Sequence, residues 1–216
     1  MTATPSIVPA AGRFVPVRAY DALVAATMRE RRWRPRLAAA IEAGHGTDCT
    51  LVEVGAGTGR LVATLHAQLP SARITAVEPD PQARAIAMAR SGRAARWLEG
   101  RAEALPLPDG SVDAVVMALV LHHLAPDAKR AALREARRVL RPGGALYVAD
   151  FGPPAGWLAS LGFAVIELAD GRAGTRPHRD GAVPELIAAS GLDAPALLGR
   201  TSTLGGTLEL LRAGRA

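Results

Sequence analysis

The sequence predicts an α/β protein on a doubly wound, mostly parallel sheet, with an antiparallel strand pair added at its C-terminal end. Three observations carry that prediction. From residue 50 onward, short β-rich runs alternate with helix-length amphipathic segments, and parallel strands require such crossovers. The run Asp113–Met117 is continuously apolar after its first residue, as expected of a strand covered on both faces. Glycine and proline punctuate the boundaries, at Gly55–Gly59, Asp80-Pro81 and Pro142-Gly143-Gly144. Right-handed crossovers then distribute the helices over both faces.

In order along the chain, residues 1–16 hold three prolines and no periodicity, which reads as a mobile arm. Residues 17–44 read as helical in two pieces, 18–31 and 35–43. The break falls at Trp33-Arg34-Pro35, because the residue before a proline avoids helical geometry, and Gly44 closes the second piece. Thr50–Val54 is the first strand, followed by a helix over Gly59–Leu69 with an apolar stripe at 61, 62, 65 and 69. Arg73–Val77 is the second strand, and Asp80-Pro81 starts a helix over Gln82–Arg90. Strands at Ala95–Leu98, Asp113–Met117 and Ala145–Ala149 complete the parallel part, with an amphipathic helix over Asp127–Leu140. Trp157–Asp170 reads either as one helix or as a short helix and a strand at Phe163–Leu168. Val183–Ser190 is a helix ended by Gly191, and Ala196–Ser202 with Gly206–Leu211 forms the antiparallel pair.

Composition narrows the function classes. A chain of 216 residues with 49% apolar and 21% charged residues is an ordinary globular chain, not a disordered one. The single Cys49 excludes an internal disulfide and a multi-cysteine metal site. The net charge is +6 and the isoelectric point about 10.8. Lys129 is the only lysine and arginine is spread along the whole chain, so compositional drift and an anionic partner both stand. The cluster Arg29, Arg31, Arg32, Arg34 and Arg36 reads as a solvated helix face or as a contact for an anionic membrane surface. The first residues lack a basic start followed by an apolar block, and the longest uncharged apolar run, Ala114–Leu121, is too short to span a bilayer. A cytoplasmic protein is expected.

The chemistry-bearing residues begin with Glu53-Val54-Gly55-Ala56-Gly57-Thr58-Gly59, between a strand and a helix. Glycines there permit a tight turn and let backbone approach a ligand. Glu78 ends the second strand, where a carboxylate can accept hydrogen bonds from ribose hydroxyls. Both features fit a nicotinamide dinucleotide as well as any other adenosine ligand, although the GxGxG spacing leaves little room for a pyrophosphate. A third element is Arg137-Arg138-Val139-Leu140-Arg141-Pro142-Gly143-Gly144. Together with Val77-Glu78-Pro79-Asp80, Ala102-Glu103-Ala104-Leu105-Pro106 and Asp109-Gly110-Ser111-Val112-Asp113, it resembles the Rossmann-like class I S-adenosylmethionine-dependent methyltransferases. Within them the text is most similar to the ubiquinone/menaquinone C-methyltransferase group. The resemblance is specific over 50–150 and diffuse elsewhere.

The resemblance implies S-adenosylmethionine as cofactor and assigns residues to it. Gly55, Ala56, Gly57, Thr58 and Gly59 match the loop around the methionine moiety, and Glu78 and Pro79 the ribose and adenine side. Arg101 and Ala102 match the pair at the adenine edge. Arg101 departs from the family pattern, which often has Asp or Asn there, because arginine cannot accept a hydrogen bond. Ala118 and Leu119 match positions near the methionine amine. His122 and His123 follow the fourth strand, at the end of the sheet where an acceptor would sit; they read as a structural helix start or as site residues, with His123 the candidate base. Asp150 ends the fifth strand and Tyr20 lies in the N-terminal helix; each reads as a substrate contact or as structure. No metal is expected, since no cysteine or nearby acid has ligand spacing. The implied organisation is a helical lid at 17–44 and a methyltransferase domain at 45–216, with a substrate-lid insertion at 152–182. The implied activity is methyl transfer to a small-molecule acceptor, nucleic acid being disfavoured. A phospholipid or prenylquinone acceptor at a membrane surface, a cofactor-binding protein without turnover and an NAD-linked reductase are the alternatives.

Overall fold

A computed structural model describes residues 26–216 of the chain. Its elements are α1 (Glu30–His45), β1 (Thr50–Val54), α2 (Arg60–Gln68), β2 (Arg73–Val77), α3 (Pro81–Ser91), β3 (Arg96–Leu98) and β4 (Val112–Ala118). A 3₁₀ turn at Leu121–His123 leads into α4 (Pro126–Val139) and β5 (Leu140–Phe151). The remainder comprises α5 (Trp157–Asp170), α6 (Arg172–Arg179), α7 (Val183–Ala189), β6 (Ala196–Thr203) and β7 (Gly206–Gly214). The strands form one sheet in the order β3-β2-β1-β4-β5-β7-β6. Pairings among the first five are parallel, and β7 is antiparallel to both β5 and β6. The order reverses between β1 and β4, and a crevice at such a switch point is where ligands bind in open α/β sheets.

The central strands are buried on both faces, and their side chains alternate between two cores. Val52, Val54, Val115 and Met117 pack with Leu133 and Ala136 of α4 and Ile187 of α7. Leu51, Ala114 and Val116 pack with Trp33, Leu37 and Ile41 of α1 and Leu61 and Leu65 of α2. The period-2 alternation of a strand therefore supplies both layers from one apolar run. The motif residues after β3 and within α4 are braced together: Arg138 donates to the carbonyls of Leu107 (2.8 Å) and Leu105 (3.0 Å), and Glu135 accepts from Leu105 N at 2.8 Å.

Two sequence expectations fail in instructive ways. The break expected at Pro35 is absent; α1 runs unbroken from Glu30 to His45. Proline there forfeits one backbone hydrogen bond near the helix start, and complete burial of Trp33, Leu37, Ala38 and Ile41 outweighs that loss. The chain bends instead at Arg29, held at φ +49°, and Gly46, not Gly44, caps the C-terminus. Within 17–44, the part from Glu30 on is thus a fixed layer of the core. The fifth strand starts earlier than Ala145: β5 takes in Arg141-Pro142-Gly143-Gly144, with a register shift between Val112↔Leu140 and Ala114↔Ala145. Residues 157–170 form one helix throughout, which decides between the two readings of that segment.

Candidate active site

Positive-φ glycines shape the first half of the site. Gly55, Gly57 and Gly59 stand at φ +70°, +53° and +75°. At Gly55 space is limiting too, because a Cβ would come within 2.6 Å of Val120 Cγ2. At Gly57 none of the described residues lies within 4 Å of where a Cβ would stand, so the crest of the loop is open with respect to them. The loop is pinned to β2: Gly55 N and Ala56 N donate to the Val77 carbonyl at 2.8 and 3.1 Å. Glu78 then grips it, Oε2 accepting from Gly57 N at 2.7 Å and Oε1 from Asp80 N, across Pro79, at 2.9 Å. Arg90 donates to both Thr58 oxygens. Buried Glu30 accepts from Arg60 at 2.8 Å, tying α1 to the start of α2 beyond Gly59.

Sequence reading passed over Glu53 as a site residue. It is 3% exposed, and its Oε2 has no hydrogen-bond partner. Burial pushes its carboxyl up to about 8; Glu78 and Glu30 nearby add to that, and the Arg34 charge opposes it. Burial also raises Glu78, against the amides of Asp80 and Gly57. A positively charged group beside the loop would satisfy the orphaned Glu53 oxygen. The signal was in the text, as an acid in an otherwise apolar strand directly before the glycines.

The other residues assigned to the cofactor gather around this loop. The segment carrying Arg101 and Ala102 follows β3 and abuts the end of β2, since a Cβ on Gly100 would stand 2.9 Å from Val77 Cγ1. Ala102 is buried, whereas the Arg101 side chain is 48% exposed and 3.5 Å from Glu103. Ala118 ends β4, and Leu119 adopts φ +56° while its N–H donates to the Ala149 carbonyl at 2.8 Å. Val120, the residue that meets Gly55, leads straight into His122 and His123. Tyr20 lies outside the described residues.

The second half is a polar network at the carboxyl ends of β4 and β5. Asp150 is 2% exposed and accepts from Leu121 N (2.8 Å), Phe151 N (2.8 Å) and His122 Nδ1 (2.7 Å). Burial would raise its pKa, but His122 and His178 and these hydrogen bonds win and hold it far below the carboxylate range. Burial keeps His122 neutral against the pull of Asp150, so Nδ1 carries the proton and Nε2 faces Asp170 at 3.6 Å. His123 Nδ1 lies 3.2 Å from Asp170. Burial alone would lower the His123 pKa, but the Asp170 carboxylate more than compensates and raises it. Its side chain is 40% exposed, the open member of the group. Nothing near the histidines in sequence announced Asp170; α5 delivers it from far along the chain, where ligand spacing along the sequence does not register it. Ligand atoms of His122, His123 and Asp170 all lie within 4.8 Å of one another.

Behind them, fully buried His178 donates from Nδ1 to the Phe151 carbonyl at 2.7 Å and accepts at Nε2 from Lys129 Nζ at 3.0 Å. Lys129, also fully buried, donates to Gly174 O at 2.6 Å, and burial lowers its pKa to about 8. Burial lowers His178 to about 4, the Asp150 carboxylate opposing it and the Lys129 charge adding to the effect of burial. In the unfolded chain this ring takes a proton near 6.5 and in the native state only near 4, so its contribution is present above 6.5 and lost as pH falls toward 4. We expect the unfolding free energy of wild type to fall by about 3 kcal/mol more than that of His178→Gln over that window. Denaturant titrations at a series of pH values check this; parallel curves would show that the ring is not buried neutral.

A sequence model for a family described as "Methyltransferase domain" matches residues 52–148, the stretch that carries the loop, Glu78 and the histidine turn. Over that stretch the chain is similar to the class I S-adenosylmethionine-dependent methyltransferases. This methyltransferase domain is 36% identical over 132 residues to a ubiquinone/menaquinone biosynthesis C-methyltransferase UbiE of Rubrivivax gelatinosus, covering 59% of this chain and 49% of that protein. It is 38% identical over 111 residues to the human thiol S-methyltransferase TMT1A, covering 49% and 43%. It therefore spans about half the length of the curated relatives it matches. Its fold is similar to that of a Synechocystis magnesium protoporphyrin IX methyltransferase solved with bound S-adenosylhomocysteine, at TM-score 0.67 and 18% identity over 88% of this chain and 84% of that one. The methyl donor of that family fits the residues present: the orphaned buried carboxyl oxygen of Glu53 can accept from its ammonium group, whose charge would favour the ionised form, and none of the described residues crowds the crest at Gly57. No helix among the described residues is long and apolar enough to cross a membrane.

Proposed function

We propose that this domain moves the methyl group of S-adenosylmethionine to a weakly acidic small-molecule acceptor by in-line displacement, with His123 taking the acceptor's proton. The observation that carries this reading is the His123–Asp170 pair at 3.2 Å, on the turn whose Val120 abuts the glycine loop. A relative named a thiol S-methyltransferase supports a weakly acidic acceptor, and one named a ubiquinone/menaquinone biosynthesis C-methyltransferase is compatible with it.

When bound, the donor supplies an electrophilic methyl on a sulfonium. Gly55, Ala56, Gly57, Thr58, Gly59, Glu78 and Pro79 would hold it, with Glu53, Ala102, Ala118 and Leu119 around them. Asp150 and His122 position the histidine turn, since Asp150 bonds both the Leu121 N–H and the His122 ring. The chain's task is alignment and exclusion of water, plus a proton acceptor for acceptors that do not ionise unaided.

The test is transfer of labelled methyl from S-adenosylmethionine to a panel of thiols, phenols and hydroquinones, followed against pH. His123 works only when neutral, so the rate should rise with pH through a midpoint above the ordinary histidine value of 6.5. Asp170→Asn should move that midpoint down. No transfer to any acceptor would favour a binding protein without turnover. Activity lost on dialysis against EDTA and restored by a divalent cation would make His122, His123 and Asp170 a metal site instead.

A further inference from the structure

Among the described residues, none covers the outer face of α5. Trp157, Leu158, Leu161, Val165 and Leu168 are 75%, 65%, 63%, 62% and 87% exposed, at the spacing of one helical face. Leu204 in the β6–β7 turn, 70% exposed, lies beside it, since a Cβ on Gly162 would run into the Leu204 carbonyl. The charges of α5 point the other way. Glu167 pairs with Arg179 at 2.6 Å and Asp170 with His123 at 3.2 Å, while Phe163 packs fully buried on Phe151. A solvated helix has the opposite arrangement, and contiguous apolar surface of this kind marks an interaction site.

Arginines flank the strip on two sides. Leu204 N donates to the Thr27 carbonyl at 3.1 Å, and Met28 packs with Phe163. Exposed Arg29, two residues on, is therefore within about 7 Å of that contact. At the other end, exposed Arg172 and Arg176 follow α5 directly, Arg176 sharing its charge with Asp180 at 3.3 Å. Self-association through this face would set arginine against arginine in either orientation of the helices. An anionic lipid surface matches both the apolar strip and its basic rim.

We propose that α5 and Leu204 dock on an anionic bilayer, so that the acceptor reaching His123–Asp170 is a membrane-dissolved amphiphile. The second clause rests on the methyl-transfer reading; the docking itself does not. α5 ends in Asp170, so the helix whose outer face touches lipid also carries the carboxylate that pairs with His123.

Trp157 reports the contact, because Trp33 is fully buried and Trp97 half-buried. Phosphatidylcholine vesicles with added phosphatidylglycerol should shift the emission of the full chain to the blue, and brominated lipid should quench it. Co-sedimentation should need the anionic lipid and weaken with salt. Leu161→Asp with Leu168→Asp should cut partitioning at least about tenfold. Arg29→Gln with Arg172→Gln should cut it by about fivefold per charge. Circular dichroism and calorimetric binding of S-adenosylhomocysteine should be unchanged in both variants, which separates a failed docking surface from a failed cofactor site. Protein left in the supernatant under every condition would overturn the proposal, as would vesicle binding that the leucine variant retains. So would a dimer by light scattering that the leucine variant abolishes without any vesicle binding.

Discussion

Glu78→Ala is expected to weaken S-adenosylhomocysteine binding at least about 100-fold. The two carboxylate oxygens hold Gly57 N and Asp80 N at 2.7 and 2.9 Å, so the side chain sets the crest of the loop before any ligand arrives. Hydrogen bonds to a charged group contribute about 1.5–3 kcal/mol each, and each 1.4 kcal/mol is about tenfold in affinity. Part of the loss falls on the unliganded fold, because both bonds exist without ligand; the melting temperature of the unliganded variant should drop as well. Calorimetry measures the affinity and a thermal melt the remainder. A loss below about threefold would mean that Glu78 does not organise the cofactor loop.

His123→Asn is expected to lower turnover about 10²–10⁴-fold, the usual contribution of a positioned general base, while leaving S-adenosylhomocysteine affinity unchanged. Asparagine occupies similar space but cannot take up a proton. Asp170→Asn should cost less, since the ring survives and loses only the carboxylate that raises its pKa and orients it. Single-turnover rates on the acceptor found by the panel check both. A His123→Asn enzyme at wild-type speed would leave alignment alone as the catalytic device.

Much of the scaffold was legible because its signals are local. Thr50–Val54 and Arg73–Val77 were bounded by glycine and by Asp80-Pro81, and Asp80 does cap α3 through Gln82 N and Ala83 N. The antiparallel pair at the C-terminus was legible from two β-rich runs around Thr203–Gly205, and it closes the sheet as β6 and β7. Local rules misled at Pro35, where packing of Trp33 and Leu37 overrides a backbone preference. The glycine loop that Glu78 holds was likewise readable from adjacent residues. The acceptor side was half legible: His122, His123 and Asp150 stood out as polar residues at strand ends. Their partners did not, because Lys129 and His178 are 49 residues apart and Asp170 sits at the end of a helix otherwise read as lid. Long-range polar pairing has no periodicity to announce it.

The central claim is that the loop, Glu53 and Glu78 form a site for S-adenosylmethionine. Its most direct test is a calorimetric titration of the full chain with S-adenosylhomocysteine and, separately, with NAD. The short loop and its open crest at Gly57 predict saturable single-site binding of S-adenosylhomocysteine and no heat from NAD. Binding of NAD with none of S-adenosylhomocysteine would contradict the account.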